Sequence, residues 1–428
     1  MNDVAAHNKL PPSVHDTVNH LFRHESGKMV SLLTRIFGFH NLQLAEDVVQ
    51  ETLLKALTIW PFSGIPHNPS GWLFQTAKNL ALDKIRRERF TVHYADDLSL
   101  LLKSEWSVVS TLNDLFLGNE IQDDQLRMMF TCCHPAFPIE SQVALTLKTL
   151  CGFSIGEIAK AFLTNEPAIN KRLYRAKQEI RSKKVRFEIP IGVEIHQRIT
   201  GVLSVLYLMF NEGYASSNAE RLIREDLVAE AMRLARLLAE HPECRRPEVC
   251  ALLALMSFHA SRFVSRIDDH GHILLLEEQD RTLWDEELIR QGHYYLEESA
   301  HGDYLTSYHV EAAIAYYYVE AKTFEETRWD EILKLYDQLQ TLSPSPVIAL
   351  NRAVVIAQLH GPQQGLEAIG QISGVELLAN YYILYATLGD LHRRMQAYEK
   401  AEINLQKAMA LTDSPIEKDL LMKKLHTV

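Results

Sequence analysis

The chain has 428 residues, 47% of them apolar, and a formal net charge of -11; that length predicts two or three domains with well-formed cores. No stretch approaches the roughly 18 uninterrupted apolar residues of a membrane span, and the opening MNDVAAHNKLPPSVHDTV lacks the basic-then-apolar order of a signal peptide. Five cysteines, an odd number that includes the adjacent pair Cys132 and Cys133 but no CxxC, argue against a disulfide framework or zinc ribbon and for reduced thiols in a cytoplasm.

The charge is unevenly placed. Residues 1–186 hold 22 Lys or Arg and 19 Asp or Glu, net +3, whereas residues 187–428 hold 22 and 36, net -14. An acidic half attached to a DNA-binding half does not wrap the same phosphates, and would instead hold back non-specific binding.

Residues 13–40 carry an apolar pattern through Val18, Leu21, Phe22, Val30, Leu33, Ile36 and Phe37, which predicts two helices broken near Gly27. LQLAEDVVQETLLKALTIW follows as one helix. Ala45, Val48, Val49, Thr52, Leu53 and Ala56 form its buried side, and Glu46, Asp47, Gln50 and Glu51 its outer face. That acidic face suits solvent or a basic protein partner. Pro61–Ser70, with three prolines, predicts a loop. In GWLFQTAKNLALDKIRRERF, Phe74, Ala77, Ala81 and Ile85 face inward while Lys78, Asn79, Lys84, Arg86, Arg87 and Arg89 crowd the outer face and end. Cations in a last turn complement the helix dipole. Beside Trp60, Phe62, Trp72 and Phe74 they are also the ingredients of a single-strand surface, where bases stack and phosphates are neutralised.

The pattern weakens between Thr91 and Gln122, as in a linker with local helix, and a helix restarts at Asp123, broken at the turn from Pro135 to Pro138. Cys132, Cys133 and His134 have no second ligand pair at metal-site spacing, so they read as core beside a turn. In GFSIGEIAKAFLTNEPAINKRLYRAKQEIRSKKVR, Ser154 and Glu157 form a capping box ahead of Ile155, Ile158, Ala159 and Phe162. After a short break, Ile169, Leu173, Ala176 and Ile180 make one stripe, leaving Asn170, Lys171, Tyr174, Arg175, Lys177 and Gln178 outward. Eight Lys or Arg lie between Lys171 and Arg186. This pattern fits a helix-turn-helix whose second helix enters a major groove; the bland alternative is a solvated basic helix.

The acidic half is helical in pattern. Ile199, Val202, Leu203, Leu206 and Phe210 precede an Asn211-Glu212-Gly213-Tyr214 break. DLVAEAMRLARLLAEHP and PEVCALLALMSFHASRFVSR read as an antiparallel pair. Asp268, Asp269, His270 and His272 are conceivable metal ligands, but Gly271 among polar residues more simply makes a turn. A catalytic reading of His309 and Glu311 is weaker still. With Tyr382 as position 1, Leu388, Gly389, Ala401 and Ala408 fall at about 7, 8, 20 and 27, the tetratricopeptide pattern of small residues at a helix crossing.

LAEDVVQETLLKAL, PSGWLFQTAKNLALDKIRRERF and GFSIGEIAKAFLTNEPAINKRLYRAKQEIR, in this order, resemble regions two and four of bacterial RNA polymerase sigma factors of the extracytoplasmic-function group. TCCHPAF, FNEGY, LEEQDR and SPV-x-x-LNRA extend the resemblance to the subgroup with a long tetratricopeptide-like C-terminal extension. The fold class implied is all-α: sigma region 2 over 1–92, a linker over 93–122, sigma region 4 over 123–186 and a helical regulatory extension over 187–428. The resemblance implies that Glu46, Asp47, Gln50 and Glu51 meet the beta-prime clamp helices of core polymerase, with the beta flap a second contact. Trp72, Lys78, Asn79, Lys84, Arg86, Arg87 and Arg89 would hold the melted minus-ten element. Glu166, Ala168, Asn170, Lys171, Arg172, Arg175 and Lys177 would read the minus-thirty-five element. Where many members have Thr-Val-Lys-Ser-Arg, this chain has Ala168 to Arg172, so promoter sequence does not transfer. The partners implied are core polymerase, promoter DNA and an unknown protein or ligand at the extension, in the cytoplasm and away from membranes, with no catalysis, metal or cofactor. Two other classes stay in view: a helix-turn-helix regulator that does not bind polymerase, and a scaffold acting through the C-terminal half.

Overall fold

The computed structural model describes residues 14–88, 118–161, 164–183, 185–214, 224–268 and 270–426. Among these the elements are helical, as expected of an all-α chain, and the extended pairing is an isolated bridge between Ile267 and Ile273. Two compact units divide the chain, residues 1–205 and 206–428.

In the first unit, α1 (Val14–Phe37), α2 (Leu42–Ser63) and α3 (Pro69–Glu88) pack together. α4 (Gly118–Cys132), α5 (Ile139–Thr149), α6 (Ile155–Ala161) and α7 (Glu166–Lys183) follow. The unit ends inside α8 (Val193–Tyr214). Leu32, Leu33, Ile36 and Phe37 of α1, Trp60 of α2 and Leu73 of α3 are almost wholly buried. Phe130 of α4 is buried as completely.

Three expectations about breaks fail, because a helix breaker acts only where its surroundings let it; one is the break at Asn211-Glu212-Gly213-Tyr214, which α8 contains as its last residues. α1 does not break at Gly27. The glycine is instead where another segment comes close, since a Cβ there would lie 1.9 Å from the Leu150 carbonyl oxygen. α2 likewise runs through Pro61 to Ser63 before Gly64 caps it. A proline in the last turn removes one bond only, and the Thr58 and Ser63 hydroxyls add bonds to the Leu54 and Ile59 carbonyls along this exposed end. α4 begins at Gly118, earlier than Asp123. The expected linker lies mostly in 93–117, outside the described residues.

In the second unit α9 (Glu225–Glu240) and α10 (Pro247–Ala260) form the expected pair. α11 (Glu286–Ser299) and α12 (Ser307–Glu320) cover α10 further. Those neighbours explain why α10 is apolar on every side. Among the described residues Pro247–Ser265 is the helix long and apolar enough to cross a membrane, yet 83% of that stretch is buried inside the protein. α13 (Trp329–Leu342), α14 (Pro346–His360) and α15 (Pro362–Gly370) come next. α16 (Tyr382–Arg394), α17 (Tyr398–Leu411) and α18 (Pro415–Leu425) complete the chain. The small-residue crossing is present at α16 and α17: Ala401 and Ala408 are fully buried, and a Cβ on Gly389 would lie 2.8 Å from Leu405 Cγ.

Candidate nucleic-acid interface

Local chemistry builds the helix-turn-helix. The Ser154 amide donates to Glu157 Oε2 at 2.8 Å while the Glu157 amide donates to Ser154 Oγ at 3.1 Å, the reciprocal cap that starts α6. Asn165 caps α7 by accepting from the Ala168 amide at 2.9 Å. Ile169, Leu173, Ala176 and Ile180 are all buried, so the opposite face is fixed outward. On it Glu166, Asn170, Lys171 and Arg175 are exposed, and Ala168 and Arg172 are half-buried. Tyr174, 65% exposed, adds an aromatic edge to this face. Phe162 lies outside the described residues.

α2 and α3 present a second surface. Asp47 and Gln50 are exposed and Glu51 is half-buried, with Gln43 Nε2 donating to Asp47 at 3.0 Å. Beyond them Leu54, Leu57, Ile59 and Phe62 are exposed, Phe62 by 92%. Of these the sequence pattern assigns only Phe62 to a surface, the single-strand one; Leu54, Leu57 and Ile59 are additional. The signal was LLKALTIWPF, which has more apolar residues than one helix face can bury. On α3 Asn79, Arg86 and Arg87 are exposed, and Lys78, Lys84 and Trp72 are half-buried. Trp60 is not available for bases: it is 1% exposed and packs edge-on against Trp72 at 5.3 Å. Arg89 lies outside the described residues.

The two surfaces meet, which the periodicity did not indicate. Glu46, expected on the outer face, is buried because Lys177 Nζ from α7 covers it at 2.8 Å. Lys177, expected outward, also donates to Gln43 Oε1 at 3.1 Å and is half-buried. Arg181 Nε donates to the His40 carbonyl at 3.2 Å, and Phe187 stacks on Phe39 at 6.0 Å. Deeper in the unit, buried Asp124 of α4 pairs with Arg127 and with Arg35 of α1. The basic end of the α7 helix thus sits on the start of the acidic one.

Other polar candidates resolve into packing. Cys132 and Cys133 are buried, their thiols against the Thr149 and Thr146 hydroxyls. Burial raises both, Cys133 to about 12. Asp268 accepts from the His270 and His272 amides and from His272 Nδ1, closing a turn at Gly271, where φ is +88°. Asp269 lies outside the described residues. His309 Nδ1 accepts from the Thr306 amide in a capping box, and Glu311 accepts from Tyr207 Oη at 2.6 Å. Burial lowers His309 and raises Glu311.

Residues 21–91 match sigma-70 region 2 and residues 127–180 match sigma-70 region 4. Residues 198–300 match a family of unknown function, DUF6596. The chain is 36% identical over 380 residues to the uncharacterized protein R00370 of Rhizobium meliloti (strain 1021), covering 89% of this chain and 88% of that one. It is 26% identical over 140 residues to the ECF RNA polymerase sigma factor SigM of Bacillus subtilis (strain 168), covering 32% of this chain and 78% of that one. No solved structure matches.

Proposed function

Because the chain belongs to the family of R00370 and carries sigma-70 regions 2 and 4, we propose that it is a sigma factor of the extracytoplasmic-function group that binds core RNA polymerase and opens selected promoters. The observation that carries this reading is the pairing of a capped helix-turn-helix, basic on its free side, with a helix that exposes acid and apolar groups in the same unit. A regulator that only binds duplex DNA has no use for the exposed row Asp47, Gln50, Leu54, Leu57 and Phe62. In the proposed roles that row meets the clamp helices of the polymerase, α3 holds the unstacked minus-ten strand, and Asn170, Lys171 and Arg175 read the minus-thirty-five duplex. Glu46 is engaged by Lys177, so polymerase either docks on Asp47, Gln50 and Glu51 alone or displaces the end of α7. The helical half acts as a tetratricopeptide-like regulatory extension, in the cytoplasm and without catalysis of its own.

The test is a pulldown of core polymerase with Asp47→Arg/Glu51→Arg, two non-buried positions where substitution costs about 0.5 kcal/mol or less. The folded double variant is expected to lose core binding. Wild-type retention of core by a folded variant would refute the assignment of that face.

A further inference from the structure

The match to the domain of unknown function encloses three arginines stacked on two aromatic rings, Trp284 and Tyr214. Arg262 and Arg281 lie over the Trp284 ring at 5.4 and 4.8 Å, and Arg266 lies over the Tyr214 ring at 3.9 Å. Arg262 is only 9% exposed, and the other two are half-buried. Their hydrogen-bond partners are neutral. Arg262 donates through Nε and Nη2 to Gln279 Oε1, Arg266 to the Tyr214 carbonyl, and Arg281 to the Tyr318 and Ala321 carbonyls. None of the three forms an ion pair with a carboxylate among the described residues.

Burying like charges is unfavourable, and proteins ordinarily pair such groups; here only Arg281 feels nearby carboxylates, those of Glu325 and Glu326, and neither is within ion-pair distance among the described residues. Two helix ends help. Tyr214 closes α8, while Tyr318 and Ala321 lie at the end of α12. Each helix C-terminus supplies roughly half an elementary negative charge, so the two ends offset about one of three cations. Arg281 Nη2 is buried without a hydrogen-bond partner, as is Nδ1 of the neighbouring His259. The crowding also bears on the ionisation of these groups. Arg266 and Arg281 are lowered first by burial and then by the charge of Arg262, while His259 is held down near 3 by burial and by Arg262 and Arg266.

We propose that Arg262, Arg266 and Arg281 form the binding site for a small dianionic phosphoryl compound, inorganic phosphate or a phosphomonoester. Planar guanidinium groups with unused N–H donors match a multivalent oxyanion that offers several acceptor oxygens at once. A phosphodiester in duplex DNA carries one charge and is held on a rigid backbone, which does not suit groups this buried. This site is independent of the sigma-factor reading, since it uses none of the residues assigned to polymerase or promoter.

The experiment is calorimetric titration of the full chain with inorganic phosphate, against chloride at matched ionic strength and against a short DNA duplex. Arg262→Gln removes the central cation. Gln279→Glu keeps it and supplies a carboxylate at the position it already donates to. Wild type is expected to bind phosphate saturably near one per chain, with each variant, checked for helix content, weaker by tenfold or more. Phosphate binding that survives both substitutions, a response equal to that of chloride, or binding to the duplex alone would overturn the proposal. If one variant fails to fold, the other still decides it.

Discussion

The contact between α7 and α2 makes a quantitative claim that can be measured. Lys177 and Glu46 are 2.8 Å apart with side chains 22% and 11% exposed, and Glu46 Oε1 is already buried without a hydrogen-bond partner. At an effective dielectric of about 20, two charges about 4 Å apart attract by about 4 kcal/mol, and desolvation offsets much of that. Exposed pairs contribute about 0 to 1 kcal/mol, and breaking a buried pair costs about 3 to 5. This pair lies between, so Lys177→Met is expected to cost about 2 kcal/mol. Most of that is the Glu46 carboxylate left in a poorly hydrated place. Glu46→Gln in the same background should recover much of the loss, giving a coupling of about 1.5 kcal/mol in the double-mutant cycle. With two compact units, a single unfolding curve does not isolate the contact. Native-state hydrogen exchange, resolved to peptides of Leu42–Ser63 and Glu166–Lys183, does. Additivity within about 0.3 kcal/mol would show that the two helices are not held together by this pair, and the reasoning about a joined surface would fail.

Gly27→Ala forces a Cβ onto the Leu150 carbonyl at 1.9 Å, so a loss of about 3 kcal/mol is expected, the upper range for overpacking; native-state hydrogen exchange in peptides of Val14–Phe37 checks it. Lys171→Ala should lose about 1 to 3 kcal/mol on the preferred minus-thirty-five sequence and little on unrelated duplexes. A panel of duplexes at fixed salt reads this, and a uniform loss would make α7 a basic clamp rather than a reader. His272 is raised, first by its hydrogen bond to Asp268, and Asp419 of α18 adds to that while Lys423 opposes it. Its contribution to the α18 contact is therefore full below the unfolded histidine value and is lost as pH rises through the higher folded one. Exchange in Pro415–Leu425, corrected for intrinsic rates, should quicken across that rise and cease to do so in His272→Gln.

What was legible in the sequence is what is local. The capping box of Ser154 and Glu157, the Ile169 to Ile180 stripe and the small residues at Gly389, Ala401 and Ala408 all depend on spacings within one or two helices, where geometry is set by 3.6 residues per turn. The errors are non-local. Glu46 looked solvent-facing because Lys177, its cover, is 131 residues away. Gly27 looked like a break because the backbone that needs the space belongs to Leu150. Arg262, Arg266 and Arg281 carry no signal in the periodicity, since only folding brings the ends of α8 and α12 and the rings of Tyr214 and Trp284 to them. Periodicity shows which face of a helix is buried; it carries no information on what buries it.

The same non-locality decides where the second half can be removed. A cut after Arg186 follows the end of the basic helix, yet the first compact unit extends to Val205. Phe187 stacks on Phe39, Arg198 donates to the Phe130 carbonyl, and Gly201 faces the Cys133 carbonyl. A charged hydrogen bond of this kind contributes about 1.5 to 3 kcal/mol, and the half-buried Phe187 about 1, part of what full burial would supply. Together they amount to about 3 kcal/mol in a domain whose whole stability is of order 5 to 15. Residues 1–186 are therefore expected to melt well below residues 1–205, by 10 °C or more. Equal melting of the two fragments would show that 187–205 belongs with the second half after all. Only the longer fragment is a fair comparison with the full chain in transcription with purified core. A loss of activity in 1–186 alone reports a damaged first unit, whereas a change in 1–205 reports what the helical half does to promoter opening.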